Sequence, residues 1–305
     1  SPGAAESYGD DVVMDEMPPH YPGRGAFFEV AADRVAHACA EGGQVVRLGE
    51  DGFAHRARWR AAYVALPRGS RLTVVIGGVL VAALGLTAMG PPTDVDSLNT
   101  YLRVPLDWLG RGGAFPRADL LHARLVGLGE GISMLGLATG TDVLAAHLQF
   151  AGLLVATAAV AGCGRTTAAR IRGALCVLAC PMMLGLVPAQ KFQVLPAAAL
   201  TVALLLIVRH WDRLDAGRMT LAFGAVGLAM GCKYSFLLSG SVVVVLGLVA
   251  AARSRRLVAA ASIALGCAVV LAAPVYLRNW SFYGDPLSPF LERFKAHPDP
   301  ILLAM

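Results

Sequence analysis

Charge is scarce in this chain. Asp, Glu, Lys and Arg together make up only 15% of its 305 residues, against roughly a quarter in an ordinary soluble domain. Hydrophobic residues reach 56%, and the mean hydropathy is +0.60. That balance excludes the common soluble globular classes and assigns most of the chain to lipid. Cysteine is equally sparse: Cys39, Cys163, Cys176, Cys180, Cys232 and Cys267 are scattered and show no paired metal-ligand spacing. Cys176 and Cys180 lie one helical turn apart and read as small buried thiols rather than a metal or redox site. The chain lacks a dinucleotide fingerprint, because Gly127, Gly129 and Gly131 are spaced G-x-G-x-G with no preceding strand. Close helix packing is the expected use of those glycines. It also lacks paired internal repeats, an initiator Met and a signal peptide, so a processed or incomplete N-terminus is expected. The net charge of +5 comes from arginines beside apolar runs, which membrane topology explains without nucleic acid.

What the chain has in abundance is long apolar runs. The first, 72–90, lies too deep to be a cleaved signal and reads as a signal anchor. Residues 1–71 before it are polar and mixed, with a short helix expected over 26–40 and a hairpin around Glu50-Asp51-Gly52, forming a small cytosolic segment. Further runs at about 143–162, 171–188, 194–208, 219–235, 236–252 and 257–275 bring the expectation to about seven spans of an all-α, polytopic membrane protein.

Arginine-rich loops orient these spans, since cytoplasmic loops carry the excess of Lys and Arg. Arg56, Arg58, Arg60, Arg68 and Arg71 precede the first run. Arg165, Arg170 and Arg172, then Arg209, Arg213 and Arg218, then Arg253, Arg255 and Arg256 fall in alternate loops. All can be cytoplasmic only if residues 91–142 cross the membrane an even number of times, and zero crossings, an outer loop, is the favoured reading. On that reading the N-terminus is cytoplasmic. The acidic Asp94-Val95-Asp96 motif, the Gln190-Lys191 turn, the Lys233 turn and the segment from Tyr276 onward then meet at the outer face.

The outer loop contains an amphipathic stripe of Leu98, Tyr101, Leu102, Pro105, Trp108 and Leu109, expected to lie as an interfacial helix. Residues 125–138 follow as a re-entrant or interfacial helix, or as readily a span, around Glu130, a carboxylate costing about 2 kcal/mol or more in an apolar setting. Glu130 therefore reads either as a cavity group or as a partner of Arg124. Arg278, beside Trp280, reads as a phosphate grip or an interfacial anchor, and Lys191 and Lys233 as phosphate binders or snorkelling cations. His147 reads as packed or hydrogen-bonded on a span face, and His210 as part of a basic loop.

Asp96-Ser97-Leu98-Asn99-Thr100-Tyr101-Leu102-Arg103-Val104-Pro105 resembles the D-x-L-x-Y-H-L-x-x-P pattern after the first span of bacterial GT-C-fold glycosyltransferases. These are relatives of the protein mannosyltransferases and aminoarabinose transferases. Ala273-Pro274-Val275-Tyr276-Leu277-Arg278-Asn279-Trp280, then Tyr283-Gly284-Asp285-Pro286-Leu287-Ser288-Pro289-Phe290, resembles their P-W-Y-x-R-N and G-N-P-x-x-P-F. Gly231-Cys232-Lys233-Tyr234 is similar to their G-x-K-Y/F. The likeness covers about 72–292. It departs at Thr100-Tyr101, where the family often has Tyr-His, at Leu106 for a Lys, and at Gln190 and Lys191 for an acid. The family usually continues with further spans, so 293–305 is expected to be an incomplete tail.

The resemblance implies a membrane glycosyltransferase of the bacterial inner membrane, moving a sugar from a polyprenyl-phosphate donor to a glycan, lipid or protein acceptor at the outer face. Asp96, or Asp94, would act as general base, and cations would stabilise the departing phosphate. Alternate residues of an extended segment face opposite sides, so one aspartate of the pair is expected to face the reaction, and the motif alignment favours Asp96. Were both turned inward, they could share a divalent cation, Mg or Mn; no cofactor is otherwise indicated. Glu130, Arg278, Lys191, Lys233 and Tyr101 are the expected substrate-binding residues. A transporter or flippase for a lipid-linked substrate, and a noncatalytic membrane subunit, stand as the alternatives.

Overall fold

The computed structural model describes residues 60, 61, 63–117 and 121–290. The helix expected over 26–40, the hairpin at 50–52 and the tail 293–305 lie outside the described residues. Every regular element among those described is helical. Helix α1 (Arg68–Ala88) is followed by a π-helical turn (Ser97–Leu102) that runs into α2 (Arg103–Gly110), then α3 (Leu121–Leu125) and α4 (Leu128–Ala138). After these come α5 (Leu144–Ala161), α6 (Thr167–Leu178), α7 (Pro181–Leu186), α8 (Val194–Arg209), α9 (Ala216–Cys232) and α10 (Phe236–Arg253). Finally α11 (Leu257–Cys267) passes through a second π-helical turn (Ala268–Ala272) into α12 (Ala273–Tyr283).

Among the described residues four helices are long and apolar enough to cross a membrane: Arg68–Ala88, Leu144–Ala161, Phe236–Arg253 and the continuous rod Leu257–Tyr283. Helices α4, α8 and α9 are apolar but shorter. The run 171–188, expected as one span, is two helices. Pro181 has no N–H to continue α6, so the chain turns at Cys180 and restarts with Pro181 in the first turn of α7, where a missing donor is harmless. The last rod, in contrast, outlasts its expectation: Tyr276, Arg278 and Asn279 are helical rather than loop, and the helix stops at Gly284, whose φ of 66° only glycine adopts freely.

Small residues set the packing, as expected where lipid competes with every apolar contact. A Cβ on Gly152 of α5 would stand 2.7 Å from the Leu195 Cα of α8, and one on Gly231 of α9 would stand 2.2 Å from the Leu271 carbonyl oxygen. The main core joins Leu200 and Ile207 of α8 with Met219, Phe223 and Val226 of α9 and Val243 of α10. A second unites Leu84, Leu153, Leu178 and Val194 from α1, α5, α6 and α8. Cys163 and Cys176 are exposed and Cys232 alone is buried among the described thiols, which corrects the expectation of buried thiols at 176 and 180.

The helix ends sort into two groups. At one end Arg209 donates to the Gly162 carbonyl, Thr166 caps α6 through the Ala169 N–H (3.2 Å), and Asp215 caps α9 through the Arg218 N–H (2.8 Å). The Arg209 contact joins two of the loops that carry the arginine clusters, and the two caps close the helix starts that follow them. At the other end lie 89–117, 121–127, 187–193, 233–235 and 284–290, tied together by the contacts described next.

Candidate functional site

The acidic motif is not extended. Asp94 starts a helical turn, accepting the Ser97 N–H at 2.9 Å and the Ser97 hydroxyl, and Asp96 is already in helical geometry (φ −66°, ψ −39°). A cap at Asp94 is what an aspartate two residues after Pro92 favours, since its carboxylate satisfies an orphan amide of the first turn. The expectation of an extended segment, with alternate carboxylates on opposite sides, is therefore corrected. Both approach one cation, with Lys191 Nζ 2.6 Å from Asp96 and 3.8 Å from Asp94. That ammonium stands where a divalent cation shared by the pair would stand, so these residues do not fit a resident metal. No cluster of three or more His, Cys, Asp or Glu able to hold a metal occurs among the described residues.

Lys191 is presented by a clamped loop. The loop leaves α7 at Val187 and enters α8 at Val194, and its backbone is gripped by Gln149, a fully buried amide on α5. Gln149 donates to the Lys191 carbonyl and accepts the Leu195 N–H at 2.9 Å. From the other side the fully buried Ser97 hydroxyl accepts the Gln190 N–H at 2.9 Å. The hydrogen bond and charge of Lys191 hold the Asp96 carboxyl below the usual aspartate range, and Asp96 raises Lys191 in return. Both effects belong to a solvent-facing pair, since the Asp96 side chain is 66% exposed.

Next to this pair lies a cavity of about 570 Å³. Its polar end is formed by Tyr101, His122, Glu130 and Lys233, and its remaining wall includes Leu237, Leu238, Leu287 and Phe290. Leu238 is 79% and Phe290 61% exposed, so this wall opens at an apolar part of the protein's outer surface. Lys233 reaches the cavity because α9 ends at Cys232 and residue 233 is fully extended (φ −161°, ψ 138°), which swings its side chain inward, Nζ donating to the Tyr101 hydroxyl at 3.1 Å. Burial, reinforced by the Glu130 charge, holds the Tyr101 phenol above its usual value, so it stays protonated through neutral pH and can donate onward.

Glu130 sits in the first turn of α4 and accepts the Gly127 N–H at 2.6 Å, closing the helix start on itself. Arg124, the alternative partner considered for it, donates to the Ser288 hydroxyl at 3.2 Å and lies over the Tyr283 ring. The glycine expectation holds for two of three positions. A Cβ at Gly127 would meet the Cys232 carbonyl oxygen at 2.2 Å and one at Gly129 the Phe192 ring at 2.5 Å, whereas Gly131 faces open space. The α4 start is thus pressed against the α9 end, which sets Glu130 and Lys233 on the same cavity.

Of the seven residues singled out from the sequence, Asp94, Asp96, Tyr101, Glu130, Lys191 and Lys233 converge here from four separate segments. Arg278 is used differently. Its guanidinium donates to the Val126 carbonyl and, at 3.1 and 2.6 Å, to the Asn279 side-chain oxygen, and lies over the Trp108 ring. Asn279 in turn donates to the Arg124 carbonyl at 2.6 Å and to the Tyr234 hydroxyl. These bonds dock α12 on the α3–α4 connection, so Arg278 supports the cavity wall from behind.

Two participants, Gln149 and His122, carried no reading from the sequence, and a third, Gln190, reads there only as part of an outer-face turn standing where the resembled family has an acid. Gln149, an amide inside an apolar run, was the most detectable. His122 stood in a segment without pattern. Gln190 is fully buried, and neither its Nε2 nor its Oε1 has a hydrogen-bond partner among the described residues. An unpaired buried amide costs about 1–3 kcal/mol, so Gln190 is a local source of instability beside Lys191.

No curated protein and no solved structure matches the chain. Residues 60–284, which include every residue of the acidic pair and the polar end of the cavity, match the family model described as the DUF1420 N-terminal domain, and the chain belongs to that family.

Proposed function

We propose that this chain is a membrane glycosyltransferase that receives a sugar carried on a polyprenyl phosphate. The observation that carries the reading is the two-part cavity, with Lys233, Tyr101, His122 and Glu130 at one end and a leucine-rich wall open to lipid at the other. An amphiphile with a phosphorylated head needs that division: a cation and a phenolic donor for the phosphate, and lateral access for a chain that cannot leave the bilayer. Asp96 and Lys191, at the edge of the cavity, supply a base for the acceptor hydroxyl and a cation for the departing phosphate once substrate separates them. Glu130 orients the sugar. In this reading the arginine-rich end faces the cytoplasm and the cavity opens on the outer side of a bacterial inner membrane. Helices α8 and α9, with the broken α6–α7 pair, complete about seven crossings of a GT-C-like region.

A second reading is favoured by one observation. Asp94 is spent as a cap and Asp96 is paired, which leaves the cavity able to bind a lipid-linked substrate without reacting with it, as a flippase or a noncatalytic subunit would. Transfer of radiolabelled sugar from polyprenyl-phosphate donors, in membranes carrying the wild-type chain, Asp96→Asn or Lys233→Ala, separates the two. A glycosyltransferase loses turnover with Asp96→Asn while retaining donor binding, and loses binding with Lys233→Ala. Donor binding without transfer in the wild type, across a donor panel and in the full-length protein, moves the assignment to the second reading.

A further inference from the structure

A second cavity, of about 460 Å³, adjoins the first and shares two of its wall residues, Leu237 and Leu287. Its character is different. No charged side chain lines it, and the walls are Met230, Leu265, Val269, Leu277 and Trp280 around a floor of Ala268, Ala272 and Ala273. The one hydroxyl present, that of Tyr276, is turned away and donates to the Met230 carbonyl at 2.8 Å, leaving only its ring to the groove. The floor is low for two local reasons. Three alanines follow one another along this face, and the helix passes through the π-helical turn Ala268–Ala272, where the extra residue in the turn shifts side chains out of the regular rows. Gly231 deepens the contact beneath, letting the α9 backbone approach Leu271 closely.

We infer that this groove seats the hydrocarbon chain of the same amphiphile whose phosphorylated head occupies the cavity beside Lys233, the chain passing over Leu237 and Leu287. The inference rests on the lipid-linked reading proposed above and adds the path of the tail. Continuity is the argument. A head held by Lys233 and Tyr101 must send its chain out through the leucine wall, and Leu237 and Leu287, which form that wall, are also the near edge of the groove. Annular lipid would cover any apolar face, but it has no reason to meet a polar end. Here the apolar groove and the Lys233 end are parts of one path.

The test is chain-length discrimination in purified protein reconstituted in nanodiscs, with isopentenyl phosphate and geranylgeranyl phosphate as probes in equilibrium binding. The wild type is expected to bind the long probe at least about tenfold more tightly, and Val269→Trp, which fills the groove, to remove roughly that factor while leaving the short probe unchanged. Ala268→Leu, a smaller filling on the floor, is expected to act in the same direction, and guards against misfolding of the larger variant. Lys233→Ala weakens both probes. If Lys233→Ala weakens both and neither groove variant alters the long one, the groove is a face for bulk lipid and this inference fails while the headgroup reading stands. If neither probe depends on Lys233, the headgroup reading fails and takes the inference with it.

Discussion

Gln149→Leu isolates the device that presents Lys191. The side chains are close in size, so the substitution leaves no large cavity, but it deletes two bonds from a fully buried amide to a loop. The Lys191 carbonyl loses its donor and the Leu195 N–H its acceptor. Net losses of about 1 kcal/mol per bond, with the remaining desolvation of two backbone groups left unpaired, sum to about 2–4 kcal/mol. For a helical unit of this size that lowers the melting temperature by about 6–12 °C, read as thermal unfolding in detergent by intrinsic fluorescence. Released from Gln149, the 187–193 loop no longer fixes Lys191 against Asp96 and Asp94, so binding of a phosphorylated donor weakens alongside stability. Gln149→Met, equally unable to bond, should match Leu in both readouts. A melting temperature within about 1 °C of wild type for both variants would refute the clamp, since no compensating partner for those backbone groups exists among the described contacts.

Gln190→Leu should behave in the opposite sense: its side-chain amide has no partner to lose, so stability rises by about 1–2 kcal/mol in the same melt while donor binding or transfer falls. An unchanged function would show that the amide has no role at the site. Gly127→Ala places a methyl 2.2 Å from the Cys232 oxygen and should destabilise by about 1–3 kcal/mol, whereas Gly131→Ala, facing open space on the same helix, should stabilise by about 0.5–1 kcal/mol. Equal effects at the two positions in a denaturation series would contradict the close approach of α4 to α9. For Asp96 and Lys191 the signs run opposite ways. The lowered carboxyl contributes above the ordinary aspartate value of 3.8 and is lost only as pH falls through its folded value; the raised ammonium contributes below 10.5 and is lost as pH rises beyond that. A double-mutant cycle with Asp96→Asn and Lys191→Met should therefore give a coupling that is flat from pH 5 to 9, as an approximate window, and shrinks with salt; a coupling that titrates near neutral pH would contradict the pair. Cys163 and a Val95→Cys variant, each as the sole thiol, should be labelled by a membrane-impermeant maleimide from opposite sides, Cys163 from the cytoplasm, because both are exposed at opposite helix ends. Labelling from one side would overturn the orientation.

The sequence by itself determined the material of this protein. Low charge and long apolar runs dictate helices in lipid, because a backbone without water must bond within its own segment. The positions of Arg165, Arg209 and Arg253 at alternate helix ends were equally legible, since charge cannot be hidden in the runs between. Asp94, Asp96, Lys191 and Lys233 were legible as polar groups at span ends, Glu130 as the acid of an apolar stretch and Tyr101 as part of an amphipathic stripe, because polar groups stand out where burying them is costly. Run length misled at two places: hydropathy does not register that Pro181 lacks an N–H, nor that nothing stops the last helix before Gly284. The tertiary structure alone decided which polar residues meet. Lys191 and Asp96 are 95 residues apart, and Lys233 and Tyr101 are 132 apart. Their pairing depends on Gly127 and Gly231 letting backbones touch, and on Gln149 and Ser97 holding a loop from two sides. Arg278 reads in the sequence as a phosphate grip or an interfacial anchor, and only the tertiary structure shows its guanidinium bonded to Val126 and Asn279 and lying over Trp108. Such roles are settled by what lies within hydrogen-bonding distance, and for residues this far apart along the chain that distance exists only after the helices have packed.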